Sequence, residues 1–187
     1  MARLHPNHLT ALGIALTLAA AALVLDAQGI FRWFLAAALF GTGSLLDVLD
    51  GHWARRSGQS SPFGAFLDST LDRVGESALL AAIAVVLARR ADLWGVGFTV
   101  VAVAGSLLVS YVRARAEALG VSGKTGLGAR PGRVLLLLLG LISEPWGGLR
   151  YAVFALAALA WLTVCQRVWG VRRQLVQDTT SSARDAP

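Results

Sequence analysis

Five of the eleven acidic residues crowd into one stretch between positions 47 and 76: Asp47, Asp50, Asp68, Asp72 and Glu76. Their spacing is helical. Asp47 and Asp50 are three apart and share one helix face, and Asp68 and Asp72, four apart, share a face of the next helix. Gly64 continues the second face toward its N-terminus and Glu76 continues it the other way. The connection around residues 56–62 is short enough to fold the two helices antiparallel, which brings both acidic pairs to the same end. Four converging carboxylates repel one another, so the arrangement makes sense only with cations to neutralise it. An oxygen-only ligand set suits Mg²⁺ or Mn²⁺. Gly51 and Gly64 leave room for backbone or a phosphate to approach. The plainer alternative is that these acids pair with Arg55, Arg56 and Arg73, but four acids at two helical repeats exceed what packing needs.

The elements that carry these residues are apolar. The 187-residue chain is 56% hydrophobic and only 15% charged, against roughly 25% charged in an average soluble domain. Six apolar segments stand out, at about 9–25, 31–49, 63–87, 93–112, 134–142 and 149–168. A span needs about 20 apolar residues, and the fifth segment is short for one. The pattern predicts an all-α membrane protein, a bundle of six transmembrane helices. It forms one catalytic domain over 1–176 and ends in a polar tail over 177–187. Ala and Gly within the spans favour close helix packing in lipid. Carboxylates at membrane depth are costly unless paired or ligated, which again points to function.

The net charge of +6 would raise nucleic acid as a partner in a soluble protein. Here the basic residues lie between apolar segments, where they meet anionic headgroups or phosphorylated substrates, so membrane lipids are expected partners and nucleic acid is not. With six spans and the N-terminus inside, twelve Lys and Arg fall on the inner side and four on the outer. The positive-inside rule then puts both termini and the acidic end in the cytoplasm, in a multi-pass inner-membrane protein. Cys165 is the only cysteine, so no intrachain disulfide forms. His5, His8 and His52 make no recognisable metal set.

Residues 47–72 read DVLDGHWARRSGQSSPFGAFLDSTLD. This stretch resembles the signature of the CDP-alcohol phosphotransferases. Asp47, Asp50, Gly51, Ala54, Arg55, Gly64, Asp68 and Asp72 fill all eight of its fixed positions. Pro6-Asn7-His8-Leu9-Thr10 resembles the stretch that leads into the family's first span. The resemblance implies a six-helix membrane enzyme, commonly a homodimer, that displaces CMP from a CDP-linked lipid. It implies that Asp47, Asp50 and Asp68 are the principal ligands of two Mg²⁺ or Mn²⁺ ions. Asp72 would be the general base and a ligand or neighbour of the second ion. Asp47, Gly51, Ala54 and Gly64 would line the cytidine and pyrophosphate pocket, Arg55 would contact donor phosphate, and Asn7 and Thr10 would order the nucleotide.

The acceptor side is basic. Arg113, Lys124, Arg130, Arg133 and Arg167 form a candidate anion pocket, since the planar guanidinium fork matches phosphate. The alternative is a positive-inside loop that meets lipid headgroups. Tyr111 to Glu117, YVRARAE, and Gln166-Arg167 resemble the phosphatidylinositol-phosphate synthase branch. Ala129-Arg130-Pro131-Gly132-Arg133 keeps that branch's arginines and proline but lacks its two acids. The expected reaction is transfer of a phosphatidyl-type group from a CDP-lipid donor to a small phosphorylated alcohol, inositol 1-phosphate first. Glycerol 3-phosphate is the rival acceptor, and a non-catalytic lipid-binding homologue is the rival from another class.

Overall fold

The computed structural model describes residues 6–26, 29–57, 62–123, 126 and 130–184, without the side chains of 6–9, 49–57 and 178–184. The described residues form six α-helices: α1 (Pro6–Leu25), α2 (Ile30–Ser57), α3 (Pro62–Arg89), α4 (Leu93–Ala118), α5 (Arg130–Ser143) and α6 (Leu149–Arg184). A 3-10 turn, Glu144–Trp146, links the last two. Proline opens α1 and α3, where its missing N–H costs nothing. Asp92 caps α4 by accepting from the Gly95 N–H at 3.0 Å. The α6 helix runs on through the polar residues after 176 to Arg184.

The all-α bundle is as expected, but six spans are not. Among the described residues, three helical segments are long and apolar enough to cross a membrane: Ile30–Val48, Leu93–Ala118 and Leu149–Gln177. The physical reason differs for each of the others. Asp68, Asp72, Arg73 and Glu76 interrupt α3. At 14 residues, α5 rises only about 21 Å against a hydrocarbon core of about 30 Å. The described apolar part of α1, Thr10–Leu25, is also short. The protein is therefore a multi-pass membrane bundle whose α3 and α5 fall short of a span by charge and by length.

Both α2 and α3 rest on α1, α5 packs on α2 and α6, and α4 packs on α3 and α6. The core lies at mid-bundle, where Ala20, Phe40, Leu79, Ile83, Leu141 and Val153 are buried. At the end away from the acids, buried Glu144 accepts from Arg90 and from the Leu149 N–H at 3.1 Å, which ties the end of α3 to the start of α6.

Close approach of α1 to its neighbours depends on glycine. A Cβ on Gly43 would lie 2.7 Å from the Gly13 carbonyl oxygen, and one on Gly75 would lie 2.9 Å from Ile14 Cδ1. Gly43 is one turn before Asp47 and Gly75 one turn after Asp72, so the spacing of α1 against α2 and α3 sets where those acids meet. Gly43→Ala places its methyl against backbone rather than a flexible side chain. Overpacking of this kind costs about 1–3 kcal/mol. The variant is expected to unfold at lower temperature in detergent and to bind Mn²⁺ more weakly. An unchanged melting point would mean that the α1–α2 spacing relaxes freely.

Candidate active site

The polar end is built from the last turns of α2, the first turns of α3, and the start of α5. Asp47 reaches in from α2, and Asp68 and Asp72 from α3. One carboxylate oxygen from each lies within 4.8 Å of the others, and all three residues are partly buried. Three hard anionic oxygens this close fit a divalent cation better than they fit one another. Thr10, Asp47, Asp72, Glu76 and Arg130 line a small cleft together with Gly13, Gly43 and Gly75.

Arg130 bridges the acids. One terminal nitrogen pairs with Asp47 and the other lies 2.5 Å from Asp72 Oδ1. Beside it, Arg133 makes a two-pronged pair with Glu76, Nε to Oε1 at 2.9 Å and Nη2 to Oε2 at 3.1 Å. Glu76 thus holds an ion pair at the edge of the acid-bearing face. Its place there is legible in the sequence, since it continues the Asp68–Asp72 face by one more turn, but its partner 57 residues away is not. Arg73, a candidate partner for the acids, donates to the Ser69 carbonyl of its own helix and acts on Asp72 through its charge.

The electrostatics follow from burial. On α3, which is not among the three spans, burial first and the Asp68 charge second push the Asp72 carboxyl up to about 7, while Arg73 pulls the other way. A cation beside it favours the ionised form and reverses that push. Burial, with Arg133 next, lowers Arg130 to about 10, so its guanidinium stays charged near neutral pH.

The other basic candidates are only partly assembled. Arg167 is buried on α6 and its Nη1 donates to the Val109 carbonyl at 2.6 Å. Its electrostatic neighbours include Arg113, Arg133 and Glu117. Arg113 is half exposed and pairs with Glu117 one turn on, at 2.9 Å. Gly64 sits in the first turn of α3. Asp50, Gly51, Ala54 and Arg55 are on α2 and Asn7 is on α1, but their side chains lie outside the described residues, as does Lys124 altogether.

Comparison with known proteins bears on this arrangement directly. The family described as CDP-alcohol phosphatidyltransferase matches residues 3–169. The chain is 37% identical to the archaetidylinositol phosphate synthase of Pyrococcus horikoshii, over 91% of this chain and 85% of that one. It superposes on the crystal structure of Mycobacterium tuberculosis phosphatidylinositol phosphate synthase with CDP-DAG bound at a TM-score of 0.80. That alignment has 30% identity and covers 90% of this chain and 87% of that one. The same Mycobacterium tuberculosis enzyme in complex with manganese and citrate matches at a TM-score of 0.78, with 30% identity, covering 90% and 82%. A match over nearly the whole chain, joined to relatives this similar along their own length, makes the chain a member of the CDP-alcohol phosphatidyltransferase family, in its phosphatidylinositol phosphate synthase branch, and an enzyme.

Proposed function

We propose that this protein transfers a phosphatidyl group from CDP-diacylglycerol to a hydroxyl of inositol 1-phosphate, forming phosphatidylinositol phosphate and releasing CMP. The observation that carries the reading is the meeting of Asp47, Asp68 and Asp72, with Arg130 paired to Asp47 and Asp72 in the cleft beside them. That cleft juxtaposes a cation site with a guanidinium suited to phosphate. The relatives named above, a synthase of archaetidylinositol phosphate and one of phosphatidylinositol phosphate, support the acceptor.

Asp47, Asp50 and Asp68 hold divalent cation, with Asp72 beside them, and the site takes two ions of Mg²⁺ or Mn²⁺. The manganese-bound relative supports divalent metal use. Cation bound there neutralises charge on the departing phosphate. The chain's own groups do the rest. Arg130 and Arg167, with Arg113, Arg133 and Lys124, hold the acceptor phosphate. Asp72 takes the proton of the attacking hydroxyl as it grows acidic during attack. The hydroxyl oxygen bonds to the phosphorus that carries the lipid, and the bond from that phosphorus to the CMP oxygen breaks. Asn7, Thr10, Gly51, Ala54, Arg55 and Gly64 shape the donor pocket. The catalytic unit takes in residues 1–176 and works as the homodimer that the family resemblance implies. The basic residues gathered at the polar end, among them Arg113, Arg115, Arg130, Arg172 and Arg173, favour a site facing the cytoplasm from the inner membrane.

The test is CMP release by the purified protein with CDP-diacylglycerol, Mg²⁺ or Mn²⁺, and separate acceptors. Inositol 1-phosphate is expected to stimulate release well above free inositol, serine and glycerol 3-phosphate. Stimulation by glycerol 3-phosphate alone would overturn the acceptor and leave the metal chemistry standing. An ether-linked CDP-lipid that works where the diacyl donor fails would overturn the donor.

A further inference from the structure

The connection from α4 to α5 is held at an unexpected point. The Ser122 N–H donates to Gln174 Oε1 at 2.9 Å, and Gln174 Nε2 donates back to the Ser122 carbonyl at 2.9 Å. The carboxamide thus satisfies both backbone groups of one residue, as a neighbouring strand would, across 52 positions of sequence. On either side of Ser122 the chain is seated closely. Val121 is buried and its N–H returns to the Ala116 carbonyl at 3.0 Å. A Cβ on Gly123 would lie 2.8 Å from Arg113 Cα. Gly126 has a φ of +121°, and a Cβ there would lie 2.7 Å from Thr163 Cγ2. Gly123 is therefore seated against α4 at Arg113, and Gly126 against α6 at Thr163, one turn from Arg167.

We infer that Gln174 is a positioning residue for the acceptor. It pins residues 121–123 against α4 and α6, and so sets how Arg113 and Arg167 are presented to one phosphate. Gln174 itself touches none of the three acids of the cation site among the described contacts. The inference rests on the acceptor assignment proposed above and adds to it a residue outside the pocket.

The experiment compares Gln174→Leu, Gln174→Glu and Arg130→Gln with the native full chain in detergent. KM is measured separately for inositol 1-phosphate and CDP-diacylglycerol, together with kcat and the unfolding midpoint. Leucine removes both hydrogen bonds. Glutamate still accepts from the Ser122 N–H but cannot donate to its carbonyl. Gln174→Leu is expected to raise acceptor KM about ten-fold, the order that follows from losing two neutral hydrogen bonds. Donor KM should stay within about two-fold of native on the same scale. Gln174→Glu should fall between native and leucine. If Arg130→Gln raises acceptor KM and neither Gln174 variant does, the positioning role is overturned while the acceptor reading stands. If Arg130→Gln leaves acceptor KM unchanged, the acceptor reading fails and takes this inference with it. A Gln174→Glu protein that loses both KM values and kcat together with its unfolding midpoint would make the residue merely structural, which also overturns the inference.

Discussion

Asp72→Asn is expected to lower CMP release by about a thousand-fold, within the range that removal of a positioned general base produces. The substitution keeps shape and removes both the basic lone pair and one negative charge from the cluster. If Asp72 acts chiefly on the proton, Mn²⁺ binding by this variant should fall less than in Asp68→Asn or Asp47→Asn. Titration of Mn²⁺ by electron paramagnetic resonance measures that difference without turnover. Activity above about a tenth of native would sink the base assignment, since so small a loss is well below what general-base catalysis contributes. Equal loss of metal from all three variants would make Asp72 a ligand first and a base second.

Arg130→Gln should push two ligands in opposite directions. Arg130 pairs with both Asp47 and Asp72, so a divalent cation competes with it for the same carboxylates. Removing the guanidinium should tighten Mn²⁺ binding by roughly ten-fold, since a positive charge next to a carboxylate typically shifts proton affinity by one unit or more and acts on other cations in the same sense. The same change should raise acceptor KM by roughly ten- to a hundred-fold, as expected when a charge-assisted hydrogen bond to phosphate is lost. A variant that binds metal less tightly would show that Arg130 holds the acids together rather than competing for them. Lysine in its place keeps the charge but not the fork, so Arg130→Lys should restore metal affinity toward native and leave acceptor KM raised.

Much of the site was legible before any fold was known, because its chemistry is written in local spacing. Asp47 and Asp50, then Asp68 and Asp72, declare two helix faces through the helical repeat alone, and Gly64 lies on the second of them. That the two faces meet at one end follows from a short connection. The length of α5 and the polarity of α3 were also visible in the sequence, yet both were read as spans. A run of apolar residues marks a helix, while crossing a bilayer also needs length and freedom from charge. Asp68, Asp72, Arg73 and Glu76 in one helix, and 14 residues in the other, fall short of that.

What the chain alone determined about this protein is the content of each helix: its acids and arginines, its apolar length and its glycines. Those properties repeat every few residues, so a local reading recovers them. The tertiary structure alone decided which of them touch. Gly43 and Gly75 let α1 lie close to both acid-bearing helices, Arg133 finds Glu76 rather than solvent, Arg130 lies across Asp47 and Asp72, and Gln174 closes on Ser122. Each of these contacts joins elements far apart in sequence. Their partners are selected by how six helices share one volume, and helical periodicity carries no information about that.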